Sequence, residues 1–111
     1  MAAVAVTDPQ VMAAIDFDRT SRATLASCIE TSILAEGQLK RIKALEMRKH
    51  DQLPLAAQER EAHASKAYRN AVANYAKAMA DLEDIKAARA HARLTIDIWK
   101  TLEASHRSVA L

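Results

Sequence analysis

The chain contains one glycine and two prolines in 111 residues. That scarcity excludes most β architectures, because sandwiches and barrels need turn residues between their many strands. A single glycine also leaves no glycine-rich phosphate loop. The single cysteine, Cys28, excludes an internal disulfide and fits a reducing compartment. Aromatic residues are few: one Trp, two Tyr and one Phe. No apolar run approaches the ~20 residues that a membrane span requires. The apolar start Met1-Ala2-Ala3-Val4-Ala5-Val6 lacks the basic flank and the length of a signal peptide and reads as a loose leader over 1–8. The expectation is a cytoplasmic protein with no membrane partner. A net charge of +2 favours no partner class by itself.

What fills the chain instead is alanine, which holds twelve of the thirty-one positions from Ala62 to Ala92. A core of small side chains with a few Leu, Ile and Met is a helical core. The length suits one domain. The expected fold is all-α: a long antiparallel helical hairpin, coiled-coil-like, with a short N-terminal helix, forming a dimeric helical bundle.

Thr7-Asp8-Pro9-Gln10 reads as a helix start, with an acceptor side chain at the cap and proline at the first helical position. A short helix is expected over 9–17, its apolar face formed by Val11, Met12 and Ile15. A second helix is expected over 20–50, capped by Asp18 or Thr20. Its seam runs Leu25, Cys28, Ile29, Ser32, Ile33, Glu36, Leu39, Ile42 and Leu45 or Glu46 at three- and four-residue steps. Glu36 is costly to bury unpaired, and Gly37 costs roughly 1 kcal/mol against alanine. The pair marks a loosened point or a close approach by another chain. Asp51-Gln52-Leu53-Pro54 is the expected turn, because leucine before proline leaves the α region.

The third segment, 55–106, has no Gly or Pro after Pro54 and reads as one long helix. Tyr68, Val72, Tyr75, Met79, Leu82 and Ile85 step along one face, and Ile96, Ile98, Trp99 and Leu102 continue it over a broader arc. These are the expected packing and assembly residues. At ~1.5 Å per residue this helix would reach ~75 to 80 Å against ~45 Å for its predecessor. The overhang calls for cover by the N-terminal helix or by a second copy, hence the homodimer. From Asp8 to Glu36 there are five acids against two arginines, and from Lys86 to Arg107 five bases against two acids. In an antiparallel hairpin the two stretches lie side by side and set the register.

No catalytic constellation is expected, and no cofactor. Glu103-Ala104-Ser105-His106 has the Glu-x-x-His spacing of di-iron bundles, but such a site needs two elements of this kind and further glutamates. Glu59 and His63 stand in a solvated run of charges, and Cys28 on the seam reads as a small core residue. Lys40, Arg41, Lys43, Arg48 and Lys49 place five cations in ten residues near the hairpin tip, against Glu46 alone. They could contact phosphates, although cations also gather at helix C-termini for reasons of dipole. Finally, the stretch from Leu94 to Arg107, with its Ile96-Asp97-Ile98-Trp99-Lys100 core, resembles the C-terminal segment of small helical proteins carried by bacteriophages and prophages. The resemblance covers about fifteen residues and implies a setting near DNA metabolism. The expected function is therefore non-enzymatic: self-association and contact with a protein partner, with accessory nucleic-acid binding by the basic tip as the alternative.

Overall fold

The first helix opens on a reciprocal cap. The Thr7 amide donates to Gln10 Oε1 at 2.8 Å, and the Gln10 amide donates to Thr7 Oγ1 at 3.3 Å. This is a capping box, in which each side chain satisfies one of the amides that the first turn leaves without a partner. A computed structural model describes residues 6–110, in which three helices follow one another: α1 (Asp8–Arg48), α2 (Leu55–Ala64) and α3 (Lys66–Ala110). No strand occurs among the described residues. Of the expected leader over 1–8, residues 1–5 lie outside the described part. Thr7 is the cap and Asp8 already helical.

Two helix boundaries differ from expectation. The helices expected over 9–17 and 20–50 are one helix of 41 residues. The polar run that looked like a cap is absorbed within it: the Thr20 hydroxyl donates to the Asp16 carbonyl at 2.9 Å, and Arg19 pairs with Asp16 at 2.7 Å. With no Gly or Pro in the run, nothing stops the backbone. Conversely, the helix expected over 55–106 is broken at Ser65, whose extended backbone (φ −71°, ψ 148°) separates α2 from α3. The Ser65 hydroxyl donates back to the Ala62 carbonyl at 2.7 Å, and its oxygen accepts the Tyr68 amide at 3.1 Å. One side chain thus closes α2 and caps α3. Across the break the His63 and Tyr68 rings lie 4.9 Å apart.

The turn between α1 and α2 lies where Leu53-Pro54 required it. Pro54 is extended (φ −56°, ψ 154°) and precedes the first helical residue of α2. The Gln58 side-chain amide donates to the Leu53 carbonyl at 2.8 Å and to the Asp51 carbonyl at 3.4 Å, so α2 holds the turn that leads into it.

The chain packs as two units, one taking in residues up to Leu25 together with those from Asp84 onward, the other Ala26–Glu83. In the first unit α1 and α3 are antiparallel, since Asp8 meets Trp99 while Asp18 and Ser21 meet Arg89. Its seam follows alternating steps of three and four: Val11, Ala14, Asp18, Ser21 and Leu25 on α1, and Ile85, Arg89, Ala92, Ile96 and Trp99 on α3, all buried or half-buried. Such a heptad pattern keeps one stripe of each helix turned to its neighbour. The second unit has the same stepping. Cys28, Ser32, Ala35, Leu39, Ile42 and Glu46 form the stripe of α1; Tyr68, Ala71, Tyr75, Ala78 and Leu82 form that of α3. Ala62, at the end of α2, is fully buried.

This phase corrects the expected seam. Ile29, Ile33, Glu36 and Leu45 lie off it and are exposed, and Glu36 pairs with Lys40 at 3.4 Å instead of being buried. On α3 the buried position is Ala71 and the neighbouring Val72 is exposed. The chain itself covers part of the expected overhang: the first turns of α1 pack along α3 as far as Trp99, the partner of Asp8, and α3 continues from there to Ala110.

Candidate functional site

Inside the first unit a polar cluster is built into the seam. Arg89, whose side chain is 7% exposed, donates through Nη1 to the Asp18 carbonyl at 2.9 Å and to Ser21 Oγ at 2.6 Å. Its Nη2 lies 3.5 Å from Asp18 Oδ1, which also accepts from Arg93 Nε at 3.2 Å. Alanine makes this possible: Ala14 and Ala92 bring the helices close, and a long guanidinium can then cross from α3 to the α1 backbone. Further along, the Trp99 indole N–H donates to Asp8 Oδ1 at 3.1 Å. The acid-rich start of α1 therefore meets the base-rich end of α3, the charge match visible in the sequence. Among the described residues no buried side-chain nitrogen or oxygen lacks a hydrogen-bond partner. The buried groups of the cluster are satisfied internally, and Arg93 reaches the surface.

Beside it the surface is grooved. One hollow, of about 690 Å³, is lined by Ala13, Ala14, Ala88 and Ala92, by Phe17, Leu94 and Ile98, and by the polar Gln10 and His91. A second hollow of about 430 Å³ lies along Leu25, Lys86, Arg89, Ala90, Arg93, Leu94 and Asp97, and a third of about 320 Å³ along Leu94, Ile98, Thr101 and Leu102. Leu94 lines all three and is 57% exposed.

In the second unit several large apolar side chains stand outside the seam. Ile33 and Leu34 are 62% and 65% exposed, and Ile29, Leu45, Leu55 and Val72 are exposed too. Of the expected packing residues, Leu82 is buried and Tyr68, Tyr75, Met79, Ile85, Ile96, Ile98, Trp99 and Leu102 are half-buried. Leu34 was missed because it matches no apolar stripe, and Leu94, which keeps the i, i+4 spacing with Ile98 and Leu102, was not taken as a contact residue. Counting Ala and Ser as seam residues would have exposed both.

The five basic residues near the tip are dispersed in role. Lys40 pairs with Glu36 and Lys49 with Glu46, at 3.4 and 2.9 Å. Lys43 is half-buried, and Arg41 and Arg48 are exposed. Glu103 and His106 remain on the last turns of α3, and among the described residues no three His, Cys, Asp or Glu side chains gather as metal ligands would. No described helix is long and apolar enough to cross a membrane. No protein-family model, curated protein or solved structure matches this chain.

Proposed function

We propose that this protein is a non-enzymatic helical assembly protein that acts by self-association and by contact with a protein partner. One observation carries the reading: burial is inverted. Among the described residues the buried apolar positions are Val11, Leu82 and five alanines, while ten large hydrophobic residues are exposed and no large side chain is fully buried. Scattered apolar residues on a surface are ordinary, but contiguous apolar patches mark contact surfaces. The grooves around Leu94 and the exposed flank at Ile33 and Leu34 are of that kind. A second copy would bury them.

Sedimentation velocity over a concentration series from below micromolar to hundreds of micromolar tests the proposal. A sedimentation coefficient that rises with concentration supports it; a strict monomer across the whole range abandons it. The alternative, phosphate contact by the basic tip, has Arg41 and Arg48 as its cations without an ion-pair partner among the described residues. Titration of single-stranded and duplex oligonucleotides at low and moderate salt separates the two, because phosphate contacts weaken steeply with salt.

A further inference from the structure

Gly37 lies in the interior of α1, where glycine weakens a helix relative to alanine. Nothing inside the chain uses its missing side chain. Its φ is not positive, and a Cβ built on it would meet nothing within 4 Å. The residue therefore costs helix stability without serving the fold of this chain. It lies on the line of α1 opposite the seam, with Glu30 seven residues before it and Ala44 seven after, all three exposed. One turn before it stand Ile33 and Leu34, which with Leu55 are the most exposed aliphatic side chains of the second unit. One turn after it stands Arg41, exposed and, like Glu30, without an ion-pair partner among the described residues.

We infer that this outer face of α1 is the dimer contact, made by a second copy of the chain running antiparallel across a two-fold axis at Gly37. The inference rests on the self-association reading and gives it a site. Under that symmetry Gly37 meets Gly37 of the other copy, and the absent side chains let the two backbones approach. Ile33 lies against the aliphatic stem of Arg41, and Leu34 against that of Lys40, of the second copy. Glu30 comes within one helical turn of Arg41 of the second copy, and the symmetry makes that pairing twice. A parallel arrangement would set Arg41 against Arg41 and Glu30 against Glu30. Charge thus selects the antiparallel sense.

The test compares the full-length wild type with Gly37→Ala, Gly37→Leu, Glu30→Arg and the double variant Glu30→Arg/Arg41→Glu. Sedimentation velocity reads association, and urea denaturation at low concentration reads the monomer. Gly37→Ala and Gly37→Leu are expected to raise the monomer's denaturation midpoint, since both are better helix formers in open space, while weakening association by on the order of tenfold or more for Gly37→Leu. Glu30→Arg should weaken association, and the double variant should recover it. A wild type that associates while Gly37→Leu and Glu30→Arg associate equally well overturns this site and leaves self-association standing. A double variant that does not recover overturns the antiparallel register. A wild type that stays monomeric throughout overturns both.

Discussion

Arg89 and Arg93 address the same carboxylate from one helix, and the difference between them is burial. The Arg89 side chain is 7% exposed and holds the Asp18 carbonyl and Ser21 Oγ as well as the carboxylate, whereas Arg93 is 64% exposed and holds the carboxylate alone. Arg89→Ala should cost about 2 kcal/mol, because it removes charge-assisted bonds and leaves Ser21 and the Asp18 carbonyl in a seam without partners. The full penalty for breaking a buried pair is discounted here, since Asp18 is partly exposed and keeps Arg93. Arg93→Ala should cost ~0 to 1 kcal/mol, the range of an exposed pair. Urea denaturation followed by circular dichroism measures both. Equal losses would mean that the buried bonds contribute nothing beyond the surface pair.

At the level of the helices, Ser65 is the element boundary with the most to test. Its hydroxyl bonds to Ala62 on one side and accepts the Tyr68 amide on the other, so Ser65→Ala should destabilise by about 1 kcal/mol, the usual loss of an N-cap. Ser65→Asp should lose less, because aspartate keeps the acceptor for Tyr68. If both variants lose equally, capping does not hold the break. The other helix start has its own reporter. Trp99 is the only tryptophan and bonds to Asp8 in the first turn of α1. Thr7→Ala removes one half of the capping box, so it should fray that turn and shift Trp99 fluorescence toward the red. An unchanged emission maximum would show that the first turn stays docked without its cap.

Helix content, the turn before Pro54 and the antiparallel pairing of acid-rich α1 with base-rich α3 were legible in the sequence, because each follows from local chemistry: too few breakers, one restrictive Leu-Pro step and two oppositely charged stretches. The boundaries at Asp16–Thr20 and Ser65 were not. Polar residues such as Asp16, Thr20 and Ser65 can cap a helix or bond back within it, and only the structure shows which competitor wins. The phase of the seam was misread because large apolar residues were taken as the inside. Where alanines and serines fill the seam, Ile29 and Ile33 move to the flank. Of the candidate surface, Ile98 and Leu102 were anticipated as contact residues and line the grooves; Leu34 and Leu94 were not.

For the molecule as a whole, inverted burial has a thermodynamic consequence. Alanine removes little apolar area from water, and hydrophobic stabilisation follows area at about 25 cal/mol per Å². Most helical stability comes from tertiary packing, so a seam whose buried positions are mostly alanine and serine leaves stability to be gained from further contacts. If a second copy covers the exposed Ile and Leu residues, stability must depend on concentration, because association stabilises the folded state by mass action. A hundredfold rise in concentration is worth ~2.7 kcal/mol to a dimer. With about 2 to 4 °C per kcal/mol for a folded assembly of some two hundred residues, Tm should rise by on the order of 5 to 10 °C. Replacing Ile33 and Leu34 together by glutamine separates the two contributions: both side chains are exposed in the single chain, so Tm at low concentration should change little, while its rise with concentration should flatten. A Tm independent of concentration in the wild type would show that the exposed aliphatic face stabilises nothing by association. A lower Tm in the variant at every concentration would place Ile33 and Leu34 in the fold of the single chain.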